Sequence, residues 1–213
     1  MTISRIAEHD KRRQDIYIDG EYAFCLYNTE VRKYKLAEEE DISPEVYDEI
    51  VGVVLTKRAT LRAMNLLQKK DYSEYKLREK LVSGGYPELC IDSAIEYVRS
   101  YNYLDDRRYA TDYINCYKES RSSARVYMDL VSKGIDRELI KELMDELYES
   151  GENDPQIQQI AKILKKKHFD PSMDYKERQK IMAFLFRKGY ATDLINRGIT
   201  EFLNDASLTE RAN

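Results

Sequence analysis

Nine cations in this chain sit where they could hold a phosphate or a carboxylate: Arg107 and Arg108, Arg121 and Arg125, Lys165, Lys166 and Lys167, Arg187 and Lys188. Guanidinium groups bind such anions in bidentate fashion, and lysine clusters attract them as point charges. Each group also has a plainer reading. Arg107 and Arg108 follow Asp105-Asp106 in what reads as a first helical turn. The helix dipole disfavours cations there, so partner contact and a solvated face paired with nearby acids both stay open. Lys165-Lys166-Lys167-His168 ends a helix, where cations are electrostatically favoured; phosphate or acidic-partner contact is the alternative. Asp105 and Asp106 could hold a metal, but capping a helix and favouring its positive end is the preferred reading. Tyr97, Tyr101, Tyr109, Tyr113 and Tyr117 recur at four-residue spacing and could stack bases, although packing between helices is preferred.

Catalytic chemistry finds little support. No serine or cysteine has a plausible histidine base, and there is no glycine-rich phosphate loop. Cys25, Cys90 and Cys116 are odd in number, scattered and without a CxxC, and the only histidines are His9 and His168. Reduced cytosolic thiols are expected, with no zinc site. The expectation is therefore no catalytic residue, no metal, no cofactor and no enzyme.

The elements that must position these cations announce themselves through a motif used three times. It reads Leu81-Val-Ser-Gly-Gly85-Tyr86-Pro-Glu-Leu89-Cys-Ile91, then Leu130-Val-Ser-Lys-Gly134-Ile135-Asp-Arg-Glu-Leu139-Ile140, then Leu185-Phe-Arg-Lys-Gly189-Tyr190-Ala-Thr-Asp-Leu194-Ile195. The glycines Gly85, Gly134 and Gly189 lie about 50 residues apart, a period that marks repeats. Each glycine suits the left-handed position past a helix C-terminus, and the large residue after it can fold back onto that helix. An amphipathic segment follows each corner and another helix precedes it, so the unit is three helices that bury their stripes together.

The N-terminal stretch differs. Gln14-Asp-Ile-Tyr-Ile-Asp19-Gly20-Glu-Tyr-Ala-Phe-Cys-Leu26 places an Asp-Gly turn between β-prone runs, a hairpin signal, and Thr2 to Ile6 offers a third strand. A short helix is expected from Thr29 to Tyr34. Ser43 and Pro44 open a long helical stretch that is either one helix reaching the first repeat or two with a bend near Lys57. The organisation expected is residues 1–56 as hairpin plus helical segment, then three-helix repeats at 57–104, 105–152 and 153–213, the last ending in a polar, frayed tail. The fold class is mainly α: tandem three-helix bundles in an elongated string behind a small β-hairpin or sheet.

The net charge of −4, with 35 basic and 39 acidic residues, gives no overall field toward nucleic acid. The distribution is uneven: 38–49 and 145–154 are acidic runs, whereas 162–188 is locally basic. No apolar run approaches a membrane span and the N-terminus has no signal-peptide pattern, so a cytoplasmic, monomeric protein is expected.

Tyr103-Leu104-Asp105-Asp106-Arg107-Arg108-Tyr109-Ala110, with Ser73 to Leu81 before it and Leu130 to Ile135 after it, resembles the RecX family of bacterial recombination regulators. The resemblance spans nearly the whole chain. Asn102 stands where the family often has glycine, and Ser120-Arg121-Ser122-Ser123 replaces a glycine-containing turn. The resemblance implies tandem three-helix units and a non-enzymatic protein of DNA repair, homologous recombination and the SOS response. It implies binding to the RecA recombinase filament, lowering of its ATPase and strand-exchange activities, and at most weak contact to single-stranded DNA. The alternatives are a DNA-binding helical module and a helical scaffold for an unrelated partner.

Overall fold

The structure, a computed structural model, describes residues 1–148 and 154–211, with 205–211 described by backbone alone. It divides into two compact units, residues 1–105 and the residues from 106 onward.

The first unit opens with a three-stranded antiparallel sheet in sequential order, β1 (Ile3–Asp10), β2 (Arg13–Ile18) and β3 (Glu21–Tyr27). Asp19 and Gly20 turn β2 into β3 with φ of +50° and +91°, the positive angles that Asp-Gly tolerates and a tight hairpin needs. The expected third strand is β1. Ile3, Ile16, Ile18, Phe24 and Leu26 fill one sheet face and enter a single core shared with the helices that follow. Burial on those helices is what an isolated sheet of this size lacks.

Helix α1 (Asn28–Lys33) leads to α2 (Pro44–Asp48), capped by Ser43, whose hydroxyl accepts from the Val46 N–H at 3.3 Å. The question of one helix or two has a third answer. Backbone from Pro44 to Leu67 stays helical, but Glu49–Leu55 is wound as a π-helix before α3 (Thr56–Leu67). The Val51 carbonyl explains the wider turn: it accepts from the Thr56 N–H, from the Thr56 hydroxyl at 2.9 Å and from the Cys90 thiol at 3.3 Å. Two more helices, α4 (Glu74–Val82) and α5 (Glu88–Ser100), complete the unit. The buried face of α3 is Ala59, Ala63 and Leu66, while Leu61 on the opposite side is 51% exposed. Small side chains let α3 approach α5 closely, which larger ones would prevent.

In the second unit α6 (Asp106–Tyr117), α7 (Ser123–Ser132) and α8 (Arg137–Leu147) surround Ala110, Ile114, Val126, Leu130, Ile135, Ile140 and Leu143. A second core holds Ile160, Leu164, Phe169, Ile181, Leu185, Tyr190 and Ile195 between α9 (Pro155–Lys166), α10 (Tyr175–Arg187) and α11 (Thr192–Arg211). Ser122, Asp136 and Asp154 cap α7, α8 and α9. Asn153 and the acidic Glu149 and Glu152 lie outside the described residues. The tail expected to fray is helical as far as Arg211, with 212 and 213 outside the description. Among the described residues no helix is long and apolar enough to cross a membrane.

The repeated corners close as their sequence requires. Gly85, Gly134 and Gly189 have φ of +78°, +78° and +90°. In each corner the N–H after the glycine returns to the carbonyl of the leucine four positions before it: Tyr86 to Leu81, Ile135 to Leu130, Tyr190 to Leu185, at 3.2–3.5 Å. Asn102 (φ +55°) and His168 (φ +51°) do the same work, with Tyr103 returning to Val98 and Phe169 to Leu164. Asparagine and histidine are among the few non-glycine residues that enter this region readily, so Asn102 preserves the turn that glycine would make.

Candidate functional site

Four of the nine candidate cations converge in the second unit. Arg121, Arg125, Arg187 and Lys188, with Ser120, Ser122 and Tyr190, line a cleft of about 400 Å³. It forms because the third corner docks on the N-terminus of α7. The Ser122 hydroxyl donates to the Lys188 carbonyl at 2.7 Å and accepts from the Arg125 N–H at 3.3 Å. A Cβ on Gly189 would lie 2.7 Å from that hydroxyl, so the close approach needs glycine for space as well as for φ.

Buried polar side chains fix the docking. Gln156 accepts from the Ser123 N–H at 2.9 Å and from its hydroxyl at 3.0 Å. Gln159 donates to the Lys118 carbonyl at 2.6 Å and accepts from the Tyr190 hydroxyl at 2.8 Å. Both glutamines are 5% exposed and Tyr190 is 3% exposed. Burial pushes the Tyr190 phenol up to about 12. A network this complete specifies one register of the third repeat on the second.

The cations are held differently on the two walls. Asp129 takes Arg121 at 2.6 Å and Arg125 at 3.0 Å. Arg121 also lies 3.8 Å above the Tyr117 ring and donates to the Tyr113 hydroxyl at 2.9 Å. Burial, followed by the Asp129 charge, pushes the Tyr113 phenol up to about 12. Across the cleft, Arg187 is exposed and makes no ion pair among the described residues. Lys188 reaches over the Phe184 ring at 5.4 Å, and Lys167 covers the same ring at 4.2 Å. Among the described residues one carboxylate, Asp129, stands against four cations, which makes this part of the cleft positive, and Phe184 carries that surface on to Lys167.

The other candidates stand apart. Lys165 and Lys166 are exposed in the last turn of α9 and do not line the cleft. Arg107 bridges to Glu142 at 2.6 Å and Glu146 at 3.6 Å on α8, the intramolecular pairing that its sequence left open. Arg108 is exposed on α6. The tyrosines divide. Tyr109, Tyr113 and Tyr117 pack against the second-unit core, whereas Tyr97 and Tyr101 are exposed and form a ladder with Tyr103 at 4.9 and 5.9 Å.

Sequence reasoning missed Asp129, Gln156, Gln159 and the second bond of Ser122. The i,i+4 spacing of Arg125 and Asp129 was a usable signal. The glutamines gave none, because nothing local distinguishes a buried glutamine on a helix from a solvated one.

Comparison with known proteins gives a consistent result. Residues 59–97 match the family model of the first three-helix domain of RecX, and residues 154–199 that of the third. The "Regulatory protein RecX" of Clostridium beijerinckii is 30% identical over 206 residues, covering 95% of both chains. That of Caldanaerobacter subterraneus is 28% identical, covering 93% of this chain and 98% of its own. Among solved structures, a regulatory protein RecX superposes with a TM-score of 0.62 at 22% identity over 92% of this chain and 97% of its own. RecX from Lactobacillus salivarius gives 0.60 at 20%, over 70% and 97%. At those identities the structural likeness speaks for the fold alone.

Proposed function

The chain belongs to the RecX family of regulatory proteins, and from that premise we propose that it acts on the RecA recombinase filament of its own cell. In this reading it is not an enzyme. It binds the filament through the positive cleft of its second unit and lowers ATP hydrolysis and strand exchange. The observation that supports the reading is the convergence of Arg121, Arg125, Arg187 and Lys188 from two repeats on a chain whose net charge is −4. A general affinity for nucleic acid would rest on a net basic surface, which this chain lacks. A localised cluster instead suits an acidic face of a protein filament, or phosphates held in a fixed place by that filament. Arg121, already flattened against Tyr117 and anchored by Asp129, has lost most of its rotamer freedom before binding and so loses little more on contact.

Pull-down of the host recombinase by the full chain, with and without single-stranded DNA, tests this. The reading expects capture that strengthens when filaments form. Capture of the DNA alone with equal strength would replace it with a nucleic-acid-binding module.

A further inference from the structure

The sheet face turned away from the core carries one donor of a different chemical type on each strand. His9 comes from β1, Asp15 from β2 and Cys25 from β3. Strand register assembles them. Ala7 pairs with Asp15, Asp15 pairs with Cys25, and the register shift between Glu8 and Asp10 brings His9 alongside. His9 Nδ1 lies 3.1 Å from both Asp15 carboxylate oxygens. A ligand atom from each of the three residues lies within 4.8 Å of the other two. Cys25 is 5% exposed beneath the first corner, where a Cβ on Gly85 would come within 3.4 Å of its own. The side chains of His9 and Asp15 are 35% and 20% exposed, which leaves the site open to solvent on one side.

We propose that His9, Asp15 and Cys25 form a binding site for a thiophilic divalent transition-metal ion of the zinc class. Zinc bonds of about 2.0–2.3 Å to nitrogen, oxygen and sulfur would put tetrahedral ligand atoms roughly 3.5 Å apart. The His9–Asp15 edge is already that short, and side-chain rotation closes the others. Thiolate, imidazole and carboxylate together select zinc or cobalt over magnesium and calcium. Binding releases the Cys25 thiol proton to solvent. Thiolate and carboxylate then cancel the dipositive charge, so the occupied site is neutral beside a buried corner. Arg13, the cation two positions along β2 on the same face, is turned to Asp10 at 2.7 Å. Three protein ligands leave the fourth position to water. The ion would tie β1 to β3 across β2 and stabilise the sheet by mass action. Sequence spacing argued against a zinc site because the chain has no CxxC and no histidine pair; strand pairing supplies the proximity that spacing lacks. The proposal is independent of the recombinase reading.

The test uses the full chain, stripped with chelator and titrated with cobalt(II) alone. The expected result is one cobalt per chain with a thiolate-to-cobalt charge-transfer band in the near ultraviolet, displaced by zinc. Cys25→Ser should abolish the band, and Cys116→Ser, at an exposed position on α6, should keep it. His9→Gln and Asp15→Asn should each weaken binding by at least about tenfold, as loss of a ligand exceeds the effect of losing a supporting group; they serve if Cys25→Ser does not fold. No band in the unaltered chain, a band that survives Cys25→Ser, or unchanged affinity in His9→Gln overturns the proposal.

Discussion

Ser122 and Lys188, 66 residues apart, are joined by one hydrogen bond of 2.7 Å, and the hydroxyl that makes it also caps helix α7. One side chain therefore starts a helix in the second repeat and holds the end of a helix in the third. The cleft exists because both bonds are made at once.

Ser122→Ala should remove both. Loss of an N-cap costs about 0.5–2 kcal/mol, and the Lys188 carbonyl loses its partner as well. A lower urea midpoint, followed by circular dichroism, is expected. An unchanged curve would mean that the docking does not depend on this residue.

The corner glycines separate strain from space. Gly134→Val should cost roughly 1–2 kcal/mol for a β-branched residue held at φ +78°. Gly189→Ala should cost at least as much although alanine is smaller, because its Cβ also meets the Ser122 hydroxyl at 2.7 Å. Equal stability of Gly189→Ala and the unaltered chain in denaturant would contradict the close approach.

Tyr190→Phe leaves the buried Gln159 carbonyl oxygen without its donor and should cost about 1–3 kcal/mol near neutral pH. The raised phenol adds a pH signature. Folding favours the neutral form, so its contribution is full below the ordinary tyrosine value near 10 and is lost as pH rises through about 12. Denaturation midpoints measured from pH 8 to 12 should fall more steeply for the unaltered chain than for Tyr190→Phe. Parallel curves would show that this hydroxyl is not buried in the folded state.

Charge reversal should rank the cations. Arg187→Glu with Lys188→Glu should weaken filament binding and reduce its salt dependence, since these side chains face the cleft without an ion pair among the described residues. Arg107→Ala with Arg108→Ala should matter less, because Arg107 already pairs with Glu142 and Glu146 on an exposed face. Lys165→Glu with Lys166→Glu should also rank below the cleft pair. Binding measured across a salt series checks the order, and a larger effect at Arg107 and Arg108 would move the interface to α6.

What was legible in the sequence was local. Leucine, three residues, glycine and a large apolar residue encode a corner whose closing bond runs from the last of these to the first, and all three copies make it. Asp19-Gly20 encodes its hairpin, and Ser43 with Pro44 the start of α2. The Asn102 departure was legible too, since asparagine tolerates the same positive φ. The cleft was not, because its two walls lie some 66 residues apart and their meeting depends on Gln156, Gln159 and Ser122 finding buried partners. The His9, Asp15 and Cys25 cluster depends likewise on strand register, including a shift that no residue pattern in β1 advertises. The π-wound turn at Glu49–Leu55 depends on Cys90 and Thr56 sharing one carbonyl, a tertiary cause for a local shape.

Regulation of a recombinase through the cleft sets the last prediction. Its most direct measurement is DNA-dependent ATP hydrolysis by the host RecA, titrated with this protein under conditions where filaments form. Progressive suppression is expected, with no hydrolysis by the protein alone and a curve displaced to higher concentration for Arg187→Glu with Lys188→Glu. Hydrolysis that stays constant across the titration of the unaltered chain would contradict it.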